Sequence, residues 1–135
     1  MTMNSDQIDA LVAAALEVQK NAYAPYSRFM VGAAIMAADG AIYSGCNVEN
    51  ASYGLGVCAE RSAVSVMISQ GQHKIIGVAV TSQGGVSPCG ACRQTLAEFG
   101  MNFDVILVDS ETSQITRTWR MGDLLPGAFR KEHLD

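Results

Sequence analysis

The 135-residue sequence is poor in charge, and the little charge it has is mostly acidic. Charged residues make up 16% of the chain, whereas about 25% is usual in soluble proteins. Thirteen Asp and Glu against nine Lys and Arg give a net charge of −4. A nucleic-acid-binding surface must be positive to displace counterions, so this balance argues against nucleic acid as a partner. Low charge with 49% hydrophobic residues also excludes intrinsic disorder and predicts apolar surface buried between subunits.

Long apolar runs are missing as well. The longest, Met30–Ala38, has 9 residues, and a membrane-spanning helix needs about 20. The first basic residue is Lys20, preceded by Asp6 and Asp9, which does not match the positive start of a secretory signal. We therefore expect a cytoplasmic protein with no membrane partner. In that compartment the four cysteines stay reduced, which favours metal binding or redox chemistry over structural disulfides.

The length corresponds to a single domain covering residues 1–135, because domains cluster near 100–150 residues. Apolar residues at helical spacing predict helices over 5–22, 58–70, 89–99 and, briefly, 124–125. Ser5 is the expected N-cap of the first helix.

Short apolar and β-branched runs predict five strands, over residues 29–37, 41–46, 75–81, 105–108 and 115–119. Asp39-Gly40 between the first two runs is typical of a β-hairpin. The joint at 109–114 is too short for a crossover helix, so the last two strands should be antiparallel. Together these elements predict an α/β fold, a three-layer α-β-α domain with a mixed five-stranded sheet.

Three cysteines lie at predicted helix starts. Cys58 opens one helix, and Cys89 and Cys92 open the next within Pro88-Cys89-Gly90-Ala91-Cys92. Parallel crossovers would bring both helix N-termini to one edge of the sheet, where the positive dipole ends lower thiol pKa values. Three thiolates suit Zn²⁺ in a tetrahedral site and leave the fourth position to water. The spacing therefore indicates a catalytic zinc site.

Two charged residues beside Cys58 have candidate roles. Glu60 does not need to bind the metal and can instead move the proton of the reacting water. Zinc with three thiolates carries a net charge of −1, which weakens it as a Lewis acid. Arg61 could offset that charge by donating hydrogen bonds to the sulfurs.

Other interpretations of the cysteines stay open at this point. Cys89-Gly90-Ala91-Cys92 after a strand is also typical of a thioredoxin-like dithiol, although that does not explain Cys58 and Glu60. Cys46 could be the fourth ligand of a closed structural site, but it is more often a small buried side chain at such a position. A zinc-containing binding module without turnover would use the same ligands.

Five blocks in order resemble the small homotetrameric cytidine deaminases, roughly from Tyr23 to Phe129. The blocks are Pro25-Tyr26-Ser27-Arg28-Phe29 with Val31-Gly32-Ala33-Ala34, Gly45-Cys46-Asn47-Val48-Glu49-Asn50-Ala51-Ser52-Tyr53, Cys58-Ala59-Glu60-Arg61, Pro88-Cys89-Gly90-Ala91-Cys92-Arg93-Gln94, and Leu124-Leu125-Pro126 with Phe129. The resemblance implies hydrolytic deamination of cytidine and 2′-deoxycytidine to uridine and 2′-deoxyuridine, with release of ammonia. Blasticidin S deaminases share the zinc blocks but usually lack the Asn-x-Glu-Asn block found here.

The resemblance also implies roles for single residues. Cys58, Cys89 and Cys92 would bind one zinc ion per chain, and Glu60 would shuttle the proton. Neighbouring subunits would complete each site, which implies a homotetramer acting on a small nucleoside.

Eight residues are implied in substrate binding: Phe29, Asn47, Glu49, Ala59, Ser87, Ala51, Tyr53 and Phe129. Phe29 would stack on the pyrimidine, and Asn47 and Glu49 would hold the ribose hydroxyls. The backbone of Ala59 would contact the base carbonyl, and the carbonyl of Ser87 the leaving amine. The last three residues of the set would come from other subunits. An acid at the ribose end would also repel a 5′-phosphate, which favours free nucleosides.

Overall fold

Five strands form one mixed sheet in the computed structural model, which describes residues 2–134. The strands are β1 (Gly32–Ala37), β2 (Ile42–Cys46), β3 (Ile75–Ser82), β4 (Asp104–Asp109) and β5 (Gln114–Arg120). Their order across the sheet is β2-β1-β3-β4-β5. β3 and β4 pair in parallel, and the other neighbouring strands pair antiparallel. The predicted mixed sheet, and its antiparallel last pair, are confirmed.

Helices cover both faces of this sheet. They are α1 (Ser5–Gln19), α2 (Ala59–Ser69), α3 (Gly90–Ala97) and α4 (Met121–Leu124), with short 3₁₀ segments at Tyr53–Leu55 and Lys131–Leu134. α1 packs on one face, and the other three helices pack on the opposite face. Within residues 2–134, none of the helices has the length and apolar character required to cross a bilayer.

The central strands send alternate residues into two separate cores, as the period of two in a strand requires. Ala34 and Ala79 face α1, whereas Ile35 and Val78 face α2 and α3. β3 is buried over its whole length because helices cover it on both sides. The predicted three-layer arrangement is therefore confirmed.

Several predicted boundaries are corrected by the structure. The N-cap of α1 is Asn4, not Ser5: its Oδ1 accepts the Gln7 N–H, and the Gln7 Oε1 accepts the Asn4 N–H, both at 2.9 Å. This reciprocal pair satisfies two otherwise free donors, which the Ser5 hydroxyl does not do. Phe29 lies in a loop ahead of β1 rather than in the strand, and α4 ends at Leu124, before the predicted Leu125.

Two adjacent crossovers place the N-termini of α2 and α3 at one edge of the sheet. β2 and β3 both run antiparallel to β1, so β2–α2–β3 joins parallel strands, as β3–α3–β4 does. Each helix follows the carboxyl end of its strand, so the two helices begin at the same edge. Cys58 and Cys89 are their N-caps. The convergence predicted for the cysteine motifs is confirmed.

α2 lies close against β2 because position 45 carries no side chain. A Cβ on Gly45 would lie 2.5 Å from the Ala63 nitrogen and 2.7 Å from the Ser62 Cβ. The nearest of these atoms belongs to the helix backbone, so it cannot turn away. Gly45 therefore sets the depth at which the helix carrying Cys58 and Glu60 packs.

We expect Gly45→Ala to lower the free energy of unfolding by about 1–3 kcal/mol, because α2 must shift outwards to admit the methyl group. Denaturant unfolding measures this change. Gly54→Ala is the matched control, since a Cβ there meets nothing within 4 Å. Equal stabilities of the two variants would contradict the close packing of α2 on β2.

Candidate functional site

Three cysteine sulfurs meet where α2 and α3 begin. The Sγ atoms of Cys58 and Cys89 are 4.0 Å apart, and those of Cys89 and Cys92 are 3.5 Å apart. All three lie within 4.8 Å of one another. Tetrahedral zinc with bonds of about 2.3 Å would hold its sulfur ligands about 3.8 Å apart. The three thiols therefore fit a zinc ion in both chemistry and spacing.

The cluster contains three protein ligands rather than four. Among residues 2–134, no further His, Cys, Asp or Glu joins the group. Cys46 lies at the end of β2, opposite Gly32, outside the cluster. A closed four-cysteine site is therefore not supported, and a metal held here would have one position for a non-protein ligand.

The surroundings of the three thiols shift their pKa values in different directions. The pKa of Cys89 is lowered, chiefly by the backbone N–H of Cys92 at the start of α3. Burial raises the pKa of Cys58 and raises that of Cys92 strongly, with the nearby charge of Glu60 adding to the latter. The prediction that helix ends lower all three is thus right only for Cys89. For the other two, desolvation outweighs the helix dipole, and a bound cation would be needed to hold them as thiolates.

Glu60 is buried beside these sulfurs. It lies in the first turn of α2, and only 4% of its surface is exposed. Burial raises the pKa of its carboxyl, while its own backbone N–H, the Cys92 thiol and the charge of Arg61 lower it by less. A carboxyl whose pKa is raised towards neutrality is well suited to both accepting and donating a proton.

The three sulfurs and Glu60 face a cavity of about 310 Å³. Five residues predicted to bind substrate also line it: Phe29, Asn47, Glu49, Ala59 and Ser87. The volume is at the lower end of the range typical of small-molecule sites, about 300–1,000 Å³. A second cavity of about 410 Å³ adjoins the first, sharing Ser27 and Glu49 with it. The structure therefore brings the metal ligands, the acid and most of the predicted substrate contacts to one place.

Asn47 fastens the segment that carries Phe29. Its Oδ1 accepts the Val31 N–H at 2.9 Å, and its Nδ2 donates to the Phe29 carbonyl at 2.8 Å. The amide thus bridges the two backbone groups on either side of Met30. Its remaining hydrogen-bonding capacity is one proton and one lone pair, which is what a ligand can use.

Glu49 holds the neighbouring turn in the same way. Its carboxylate accepts the backbone N–H groups of Tyr26 and Ser27, at 3.0 and 3.1 Å, and the Ser27 hydroxyl. These hydrogen bonds, the hydroxyl first, lower the pKa of Glu49 and keep it charged. Ser27 also accepts the Phe29 N–H at 3.0 Å. Sequence reasoning gave Ser27 no role of its own, because one serine in a loop has no pattern that marks it.

Three predicted substrate contacts do not reach the metal cavity of their own chain: Ala51, Tyr53 and Phe129. The side chain of Tyr53 is 80% exposed and lines only the adjoining cavity. Phe129 is 59% exposed, and its carbonyl accepts a hydrogen bond from Gln94 Nε2 at 2.7 Å. That these residues act in a neighbouring subunit stays a prediction.

Arg61 does not make the predicted hydrogen bonds to the sulfurs. Its Nη2 donates to the Gly56 carbonyl at 3.2 Å, and within residues 2–134 its buried Nε has no hydrogen-bond partner. The guanidinium thus contacts the loop that precedes α2. Its charge lowers the pKa of Glu60, and its role in compensating the charge of a metal site stays a prediction.

Comparison with known proteins places this arrangement among relatives. Residues 5–108 match the family profile described as "Cytidine and deoxycytidylate deaminase zinc-binding region". The chain is 43% identical over 129 residues to a cytidine deaminase of Sporosarcina psychrophila, covering 94% of each chain. It is 42% identical over 130 residues to that of Halalkalibacterium halodurans, covering 93% of this chain and 96% of the relative. The crystal structure of cytidine deaminase from Burkholderia pseudomallei superposes with a TM-score of 0.85 at 43% identity, covering 94% of this chain and all of that one.

We expect Cys89→Ser to lose bound zinc and to melt at a lower temperature, because metal-binding energy is also folding energy. Cys89 is exposed, so the substitution itself removes little packing. Elemental analysis and thermal unfolding of the same sample measure both effects. Cys46→Ser is the matched control and should keep the metal. Stoichiometric zinc in Cys89→Ser would show that the ligands are misassigned.

Proposed function

The chain belongs to the cytidine and deoxycytidylate deaminase family, and we propose that it hydrolyses cytidine and 2′-deoxycytidine to uridine and 2′-deoxyuridine, releasing ammonia. The observation that carries this proposal is the meeting of three thiols and one buried carboxyl on a single cavity. Relatives 43% and 42% identical over most of the chain are cytidine deaminases. A thioredoxin-like dithiol does not account for the third thiol or for Glu60 at the same site. We further propose that residues 1–135 act as one deaminase domain.

We propose that Cys58, Cys89 and Cys92 hold one zinc ion per chain. When bound, zinc lowers the pKa of a water molecule towards ~7 and so supplies a nucleophile at neutral pH. The cysteines contribute by placing this charge at the cavity wall, close to Glu60.

Glu60 carries the proton through the reaction. It accepts a proton from the attacking water and delivers it to N3 of the base; it then takes the remaining proton of the hydroxyl now on C4 and passes it to the departing amine. The oxygen of the water becomes the 4-oxo group of uridine, and the C4–N bond breaks to release ammonia. Burial in the first turn of α2 keeps bulk water away from this transfer and keeps the carboxyl pKa raised.

The other residues that line the cavity orient the nucleoside. Phe29 stacks on the pyrimidine, the Ala59 backbone contacts the base carbonyl, and the Ser87 carbonyl accepts a hydrogen bond from the 4-amino group. Asn47 and Glu49 bind the ribose hydroxyls with the hydrogen-bonding capacity that remains after their contacts within the loop. Because its pKa is lowered, Glu49 stays negative and repels a 5′-phosphate, so free nucleosides are favoured over nucleotides.

The deciding assay follows the loss of ultraviolet absorbance from cytidine, 2′-deoxycytidine, cytosine and cytidine monophosphate in parallel, with zinc measured on the same sample. We expect turnover of the two nucleosides. Glu60→Gln should keep its zinc while turnover falls about 100-fold or more, because the amide cannot carry the proton. Glu98→Gln, at an exposed position after α3, is the control. Zinc without ammonia release in the unmodified protein would identify a binding module instead.

We also propose a homotetramer in which neighbouring subunits share sites. Two observations support this assembly. The chain has few charged residues, and the apolar side chains of Tyr53, Leu55 and Phe129 are exposed. Exposed apolar side chains in such number are typical of surfaces that other chains cover.

Sedimentation equilibrium should give the mass of four chains. Phe129→Ala should lower kcat/KM for cytidine while zinc content stays unchanged, because the ring would complete another subunit's site. Unfolding and refolding this variant together with Glu60→Gln should restore part of the activity, since some sites in the mixed assembly would hold both native residues. A monomeric mass, or no recovery on mixing, would contradict shared sites.

A further inference from the structure

The loop from β3 to α3 forms one wall of the metal cavity. Val86, Ser87, Pro88 and Cys89 all line that cavity. In the proposed reaction this wall supplies both a metal ligand and the carbonyl that meets the 4-amino group. The position of that carbonyl depends on what holds the first half of the loop, at residues 83–86.

The first half of the loop rests on the turn between β4 and β5. The Oδ1 of Asp109, the last residue of β4, accepts the Gly84 N–H at 3.0 Å and the Glu111 N–H at 3.0 Å. One carboxylate oxygen therefore joins the loop to the turn. Asp109 itself does not line the metal cavity and so acts on it only through the loop.

Ser82, the last residue of β3, holds the start of the loop through hydrogen bonds. It is fully buried at the end of β3, and its hydroxyl accepts the Val86 N–H at 3.1 Å. Its carbonyl accepts the Gly85 N–H at 3.1 Å and the Ser110 N–H at 2.9 Å. These bonds hold the loop at Gly85 and Val86, and Asp109 holds it one residue earlier.

Two glycines allow the chain to lie on the turn. Gly84 and Gly85 have φ angles of +83° and +64°, a conformation that glycine adopts at little cost. A Cβ on Gly85 would lie 2.5 Å from the Thr116 Oγ1, so the loop touches β5 at this point. At Gly84 nothing lies within 4 Å of an added Cβ, and its N–H is held by Asp109, while the Nε2 of the preceding Gln83 donates to the Glu111 Oε1 at 2.8 Å.

We propose that Asp109 is a positioning residue for the deamination: by holding Gly84, it fixes the Val86–Pro88 wall so that the Ser87 carbonyl meets the 4-amino group of the nucleoside. This inference rests on the proposed function. Gly84 and Glu111 are both exposed, so water can replace the two hydrogen bonds that the Asp109 carboxylate accepts, and little stability depends on them. The consequence of losing Asp109 therefore falls on the placement of the wall rather than on folding.

The first test compares variants of the zinc-loaded protein. Asp109→Ala should lower kcat/KM for cytidine about tenfold or more, since small displacements of reacting groups are costly. Asp109→Asn keeps an oxygen acceptor and should stay within about threefold of the unmodified protein. Asp104→Ala is the matched control, because Asp104 starts the same strand and its carboxylate accepts a hydrogen bond from Arg120 at the surface.

A second readout separates positioning from general damage. Uridine has a 4-oxo group in place of the amine, so it cannot donate to the Ser87 carbonyl. Its inhibition constant should therefore stay within about twofold in Asp109→Ala, while zinc content and melting temperature also stay close to those of Asp104→Ala. Equal weakening of uridine inhibition and of kcat/KM would overturn the proposal.

A third pair of variants moves the loop without touching Asp109. Gly84→Ala strains the backbone at φ +83°, and Gly71→Ala introduces the same strain at φ +86° after α2, with no atom near either added Cβ. Both should lose similar thermal stability, but only Gly84→Ala should lose activity on cytidine. Equal activities of the two would overturn the proposal even if Asp109→Ala failed to fold.

The outcomes also distinguish this proposal from the proposed function. An unmodified protein that holds zinc but releases no ammonia from any nucleoside would refute the deaminase assignment. Two other outcomes would refute only the role of Asp109, provided that the unmodified protein is active. One is full activity of Asp109→Ala, and the other is a loss of kcat/KM in Asp109→Ala that Asp109→Asn does not recover.

Discussion

The site depends on one topological constraint, which is that two adjacent crossovers both join parallel strands. β2–α2–β3 and β3–α3–β4 therefore deliver two helix N-termini to one sheet edge, and Cys58 and Cys89 are the caps of those helices. Cys92 follows one turn later, so three sulfurs meet without any long loop. Gly45, which has no side chain, allows α2 to pack close to the sheet. If either helix began at the other edge, the ligand set would not exist.

The convergence of the two helix N-termini also brings Cys58, Cys92 and Glu60 together, and these acidic groups are difficult to ionise at the same time. Burial raises the pKa values of Cys58, Cys92 and Glu60, and each group's charge would raise those of its neighbours. A divalent cation among the sulfurs removes this conflict, because it stabilises the thiolates that bind it. The negative charges of the thiolates and the carboxylate are therefore balanced only when a cation is bound. Cys89, whose pKa is lowered by backbone N–H groups, is the one of these three thiols whose ionisation the protein itself favours.

Features with a local physical cause could be read from the sequence. Asp39-Gly40 marked a hairpin because Gly40 takes a φ of +84°, and the continuous apolar run of β3 marked a strand covered on both faces. The choice between two adjacent residues of similar propensity could not be predicted from the sequence. Asn4 and Ser5 are both good N-caps, and the reciprocal hydrogen bonds with Gln7 identify Asn4 as the cap. The direction of Arg61 and the anchoring of the 83–89 loop by Asp109 also depend on tertiary contacts. Single polar residues of this kind carry no periodicity that would reveal them beforehand.

The hydrogen bonds of Asn47 have a consequence for how this site can change over time. The amide bridges the Phe29 carbonyl and the Val31 N–H, while it also faces the cavity. If Asn47 binds the ribose as proposed, a substitution there would alter the sugar end of the pocket and also remove the hydrogen bonds that hold the segment carrying Phe29. Sugar recognition would then be tied to placement of the Phe29 ring, and adaptation to new nucleosides would need compensating changes elsewhere in the 26–31 loop.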